Sequence, residues 1–257
     1  MSSSSGALSL QFHPRHASPR GHSPLLHPFF FTIRRRRPHG TRAVSRRFML
    51  PSASFIWDAI TGGSSAREAS AAVRRGMLLF RQGDVGGSLA EFERAIELDP
   101  RQKSYLWQRG LSLYYLNRFE EGAEQFRIDV AANPNDTEES IWCFLCEAQL
   151  FGVEEARRRF LQVGRDPRPF MREAYNMFKD GGDPEKLVSM FLHGQENELF
   201  YASLYAGLYY ESQQGDADSS KLHIVAACKS PYGVSSGDYM ASLAQVHCLC
   251  RNWMPTQ

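Results

Sequence analysis

Chemistry in this chain would have to come from few side chains. Five cysteines occur, four of them in two close pairs, Cys143-x-x-Cys146 and Cys248-x-Cys250. Two such pairs suffice for a tetrahedral zinc site, but zinc draws its thiolates from turns that converge on one point. Cys143 and Cys146 instead fall inside a run with helical period, far in sequence from the second pair. A cysteine in a helix packs as a small hydrophobe, and an odd count completes no disulfide set. A thiol-based redox factor using Cys143 and Cys146 stays open as an alternative. After the N-terminal stretch the only histidines are His193, His223 and His247. His223 shares a helix with Cys228 and His247 adjoins Cys248, so a Cys–His dyad has two members but no orienting third group. The patterns G-x-x-x-x-G-K, G-x-G-x-x-G and H-E-x-x-H do not occur, which argues against a phosphate-cradling loop and a zincin site, and Gly233-Val234-Ser235-Ser236-Gly237 has the G-x-S-x-G form but no strand-like run before it to make a nucleophile elbow. The acids Glu91, Glu93, Glu120, Glu121, Glu154 and Glu155 fall on solvent faces. The expectation is no enzyme, no cofactor and no metal.

What the sequence does organise is a period. Arg75-Gly76-Met77-Leu78-Leu79-Phe80 returns 34 residues later as Arg109-Gly110-Leu111-Ser112-Leu113-Tyr114; the same offset carries Phe92 to Phe126, Phe126 to Phe160, and Pro100 to Pro134. Each coincidence has a packing reason. Gly76 and Gly110 sit where two helices must approach closely. Ser88, Gly122 and Ala156 are the small residues of the second helix, and Phe92, Phe126 and Phe160 fill the gap between the pair. The prolines end the second helix because they cannot continue its hydrogen-bond ladder.

Residues 69–136 therefore resemble the tetratricopeptide repeat (TPR), whose period is 34 residues. The fold class this implies is all-α: a right-handed α-α superhelix, or TPR solenoid, of about five helix pairs. The clearest repeats are 69–102, 103–136 and 137–170. A degenerate pair follows at 171–192, a repeat-like pair at 199–228, and a capping helix at 236–252 covers the end of the stack. The helical domain spans 66–253. Asp136 with Glu139 reads as a capping-box-like start, and Asp183-Pro184 as an N-cap and first-turn proline. Phe144 at the glycine position of the third repeat predicts looser packing there. A narrower likeness, to bacterial NlpI-type TPR lipoproteins, rests on three stretches: 109–115, Asn133-Pro134-Asn135-Asp136 with Trp142, and 200–210 with Gly215-Asp216. That family consists of non-catalytic adaptors that dock a processing protease and cell-wall hydrolases. The lipobox cysteine that anchors its members is missing near the start, so the anchor does not carry over.

In TPR arrays the first helix of each pair lines a concave face. Met77, Phe80, Arg81, Trp107, Leu111, Tyr114 and Tyr115 are the candidate peptide-binding residues on it. The Lys and Asn clamp of chaperone-tail receptors is absent, since Val73, Met77, Trp107 and Leu111 stand in its place. An open groove of this kind suits an apolar or aromatic peptide or helix, though each aromatic at helical spacing could equally be core.

Charge divides the chain. No acid precedes Asp58, whereas nine arginines do. Taking these nine from the 30 basic residues leaves 21 against 28 acids, a charge near −7 for residues 58–257. An RNA-binding helical repeat, the second alternative, needs basic groove residues that this domain lacks. Residues 1–57, rich in Ser, Pro, His and Arg and free of acids, read as a transit peptide or disordered tail. The serine- and proline-rich start spoils an amphipathic helix and favours the chloroplast over the mitochondrion. No segment has the apolar length of a membrane span, so any membrane association would be peripheral. The function expected is a protein–protein scaffold or adaptor in that organelle, assisting assembly, maintenance or proteolysis of a protein complex. A protease or a complex subunit is the type of protein partner expected, with no nucleic acid.

Overall fold

A computed structural model describes residues 53–213 and 215–253, and among these every regular element is helical. The Arg-rich leader lies outside the described residues except for its last positions. There the first helix, α1, runs Ala53–Arg81, so it reaches back into the segment read as tail. α2 (Val85–Leu98) begins at the N-cap Asp84, whose carboxylate accepts from the Gly87 N–H, the bond that satisfies a helix's orphan first-turn donors. A 3₁₀ segment, Pro100–Tyr105, links it to α3 (Trp107–Tyr115) and α4 (Phe119–Ala132).

The small-against-aromatic seams have measurable closeness. A Cβ built on Gly76 would stand 2.7 Å from Phe92, and one on Gly110 would stand 2.6 Å from Phe126. Phe92 and Phe126 are fully buried. The seam between neighbouring pairs is different in kind: Ser88 and Ser112, both buried, share a hydrogen bond at 3.1 Å. Gly122 lies against Cys146, its added Cβ 3.0 Å from the sulfur. In α9 (Glu196–Ser212) against α10 (Ala217–Lys229), Gly207 repeats the device with an aliphatic partner, 2.4 Å from Ile224.

The third pair departs from the repeat. α5 (Thr137–Phe151) is long and buried on nearly all sides, but α6 (Val153–Arg158) has six residues, and the chain runs without helix from Phe160 through Asp166. The cause is local. Gly152 turns the chain at φ +82° after α5, the conformation only glycine adopts without strain. Pro167 then bars helix further on, until Pro169 opens the next helix at its first turn. Phe160, read as a second-helix residue, packs from this irregular segment on Phe144 (5.8 Å) and Tyr175 (5.2 Å). α7 (Pro169–Asp180) and α8 (Pro184–Phe191) form the degenerate pair, with Asp183 capping α8. The first helices of successive pairs form one inner layer, α3 on α5, α5 on α7 and α7 on α9.

The C-terminal segment departs most. It is split into α11 (Pro231–Ser235) and α12 (Tyr239–Cys250). α12 keeps the one wet face of a helix that caps a stack, with Gln245, Leu249 and Cys250 exposed, and buries Tyr239, Met240, Ala241, Leu243, Ala244, Val246, His247 and Cys248. It packs on α10 and also on α1, the first helix of the array. α12 thus covers α10 as a cap does and also links the last pair to the first across the inner face.

The concave face and its internal occupant

Met77, Phe80 and Arg81 come from the last turns of α1, and Trp107, Leu111, Tyr114 and Tyr115 from α3. They do converge on the inner face, but α12 lies over most of them. Tyr239 stacks on Phe80 with centroids 5.4 Å apart and meets the Trp107 ring edge-on at 5.3 Å. The Arg81 guanidinium sits 5.4 Å above the Tyr239 ring and donates to the Gly237 carbonyl at 3.3 Å. Tyr115 shares a 3.0 Å hydrogen bond with His247 Nδ1. In consequence Phe80, Leu111, Tyr114 and Tyr115 are buried, Met77 and Trp107 half-buried, and only Arg81 exposed. An open curved groove over these residues is therefore corrected. Unfilled, their rings would expose an apolar stripe to water, and the chain's own helix covers it.

Buried polar groups fasten this helix. His247 is fully buried, and burial lowers its pKa to about 4, so it docks as the neutral ring. Glu211 on α9 holds Arg251 through Nε–H donation at 2.6 Å, while its other oxygen lies 3.4 Å from His247 Nε2. Asp238 caps α12 through the Met240 N–H and accepts from the hydroxyls of Tyr201 (2.8 Å) and Tyr232 (2.7 Å).

Beside the first turn of α12 the inner face stays open. One cavity of about 250 Å³ is walled by Trp107, Trp142, Glu138, Glu139, Arg168 and Met240. A second, also about 250 Å³, shares Trp107, Asp136 and Glu139 and adds Tyr105, Asp129 and Asn133. A larger cavity lies elsewhere, between the 162–166 segment and α7. The acids at the mouth were legible only in part. Asp136 does cap α5, accepting from Glu138 N–H at 3.3 Å. Its own N–H, however, is taken by the Asn133 carbonyl at 3.1 Å, and no bond from the Glu139 side chain returns to it to complete the capping box. Glu139 is 5% exposed, lines both cavities, and its Oε2 has no partner. Burial, with the Asp136 carboxylate beside it, pushes the Glu139 pKa up to about 10. Burial likewise raises Asp129 to about 7, against the Gln125 amide that donates to it at 3.2 Å. Glu138 alone has a cationic partner, Arg168, whose Nη1 donates at 2.7 Å. Arg168 is shared with Asp166 at 2.8 Å.

The thiols and imidazoles fall into packing roles. Cys143 and Cys146 are buried in α5, and burial pushes the Cys143 thiol up to about 12, away from the thiolate that redox or metal chemistry uses. His223 donates or accepts at 2.7 Å with Glu185 and stacks on Tyr210. Among the described residues no three His, Cys, Asp or Glu side chains converge as a metal site, and no helix is long and apolar enough to cross a membrane.

A family model described as tetratricopeptide repeat matches residues 63–103 and again residues 73–137. Those spans take in α1 to α4 and the glycine–phenylalanine seams, and repeats of this type are interaction modules without catalytic groups of their own. Residues 63–137 thus match the tetratricopeptide repeat, and the described residues form an all-helical array of stacked helix pairs as that repeat does.

Proposed function

We propose that the chain is a non-catalytic scaffold whose partner inserts a segment into the mouth of the inner face, beside α12. The observation that carries this reading is the pairing, in one opening, of half-buried Trp107 with the buried Glu139 carboxyl, whose Oε2 has no partner. Trp107 and Trp142 offer aromatic surface, and the buried Glu139 carboxyl, which burial holds neutral, can ionise against an incoming cation. A protein segment presenting an apolar or aromatic side chain next to an arginine or lysine satisfies both. An acidic mouth does not suit an RNA backbone, and the buried Cys143 and Cys146 thiols do not suit a redox factor.

The Arg-rich, acid-free leader supports a chloroplast address, and with it a role in assembling, maintaining or degrading an organelle complex. A fluorescent fusion of residues 1–60 tests the address; a cytosolic or nuclear signal removes it. The binding reading is tested with the full chain on an array of short peptides of varied sequence. Peptides that join an aromatic or aliphatic residue to an adjacent basic one are expected to be retained, and Trp107→Ala or Glu139→Gln to lower that retention about tenfold or more. Retention indifferent to sequence, or unchanged in both variants, overturns it.

A further inference from the structure

α10 and α12 each bring one thiol to their contact. The sulfurs of Cys228 and Cys248 stand 3.4 Å apart, and both residues are buried, at 3% and 0% exposure. That is van der Waals contact between thiols, against roughly 2.05 Å for a bonded pair. The residues are 20 positions apart and lie on different helices, so the tertiary fold and no local turn places them together. The other thiols are engaged otherwise. Cys143 lies 3.7 Å from the Ala123 carbonyl, Cys146 lies beneath Gly122, and Cys250 faces solvent. The two neighbouring sulfurs thus belong to the helix that fills the inner face and to the helix it leans on.

We propose that Cys228 and Cys248 form a disulfide site, oxidised by a glutathione-class disulfide, and that the bond staples α12 into the inner face. One cysteine, as its thiolate, attacks a sulfur of glutathione disulfide. The S–S electron pair leaves with the first glutathione thiolate, which takes up the proton lost by that cysteine. The second cysteine then attacks the protein sulfur of the mixed disulfide and expels the second glutathione. Two protein thiols and one glutathione disulfide become one protein disulfide and two glutathiones, and an excess of reduced glutathione or another thiol reductant reverses the exchange. Cys248 lies one turn from the end of α12, which stops at Cys250. Helix ends open at lower free energy than helix centres, so the pair is reachable when that last turn frays and shielded when it closes. In the closed state the bond adds a covalent tie to the non-covalent contacts that already hold α12, among them those of Tyr239 and His247. Only its consequence for partner binding rests on the reading of the inner face as a binding surface.

The test uses the full chain, first reduced, then equilibrated with glutathione disulfide and digested without reductant. The expected product is a linked peptide pair containing Cys228 and Cys248, about 2 Da lighter than the two thiol peptides together. Amide hydrogen exchange across α12 should slow about tenfold relative to the reduced chain, and the thermal midpoint should rise by several degrees, roughly. Reduced and oxidised forms are one polypeptide, so no variant that fails to fold enters this comparison. Cys250→Ser should leave the link intact, and Cys228→Ala should abolish it. A mixed disulfide at Cys250 alone, a Cys248–Cys250 link, or a Cys228–Cys248 link that leaves α12 exchange unchanged overturns the proposal. None of these results alters the peptide-array outcome, so the two readings fail separately.

Discussion

At the scale of single residues, steric fit and desolvation decide most of what matters here. Gly110 has no room for a methyl group, because an added Cβ would stand 2.6 Å from the Phe126 ring and that ring is fully buried. Gly110→Ala is expected to cost about 1–3 kcal/mol in urea unfolding, while Gly237→Ala, whose Cβ would meet nothing within 4 Å, should change little. These seams were legible in the sequence because the 34-residue period repeats the glycine and the aromatic together. Glu139 was not legible as a mouth residue. Its helix-start spacing from Asp136 was read as a cap, and only the tertiary fold reveals that the cap is closed by Asn133 instead. Asp129, where the first repeat has Ala95, also stood out only as a departure. Its folded pKa is raised to about 7 by burial, above its ordinary value, so it favours the fold below pH ~4 and that advantage is lost as pH rises to about 7. Asp129→Asn should therefore raise stability at pH 8 by on the order of 2 kcal/mol and show no gain below pH ~4. A gain of equal size at both pH values would assign the effect to packing instead of charge.

At the scale of elements, helix identity was legible and helix use was not. The helix starts read at Asp136 and Asp183-Pro184 are caps that the chain observes. α6 stops at Arg158 and Pro167 bars helix before α7 opens at Pro169, a conflict between the repeat pattern and local backbone rules that favoured the latter. α12 was read from one apolar stripe as a cap, although Met240, Ala244 and Cys248 widen that stripe and leave only Ser242, Gln245 and Leu249 on the outer side. Its docking has a titratable reporter. His247 is held neutral by burial with a pKa near 4, below its ordinary 6.5. Its contribution to stability is complete above pH ~6.5 and is lost as pH falls towards 4, a difference of up to about 3 kcal/mol. Comparing the chain with His247→Gln over that range isolates this group from the oppositely directed effect of Asp129. The variant should be less stable at pH 7, and the difference should shrink towards pH 4. Parallel profiles would mean that folding does not shift His247, and a difference that grows towards pH 4 that it docks in its charged form.

At the scale of the whole molecule, α12 changes how a repeat array should unfold. In an open solenoid each repeat touches only its neighbours, so stability is a sum along one dimension and terminal repeats fray first. Here Tyr239 stacks on Phe80 of the first helix, Cys248 leans on the tenth, and Arg251 pairs with Glu211 of the ninth. Contacts between chain positions that far apart turn a row into a closed circuit, so the ends lose their independence. The period in the sequence could announce the row, but the closure depends on curvature, which no local pattern encodes. The closed circuit predicts that amides of α1, α5 and α9 exchange through one shared opening, with similar free energies. Removing the joint should restore the row. In Tyr239→Ala, which deletes both the Phe80 and Trp107 ring contacts at a cost of about 3 kcal/mol, α1 and α2 should open first, while α5 and α9 keep most of their protection. Native-state hydrogen exchange along a denaturant series separates the two behaviours. A uniform drop across all three helices would show that Tyr239 only adds to a common core, and that the first repeat is bound to the rest through α2 and α3 alone.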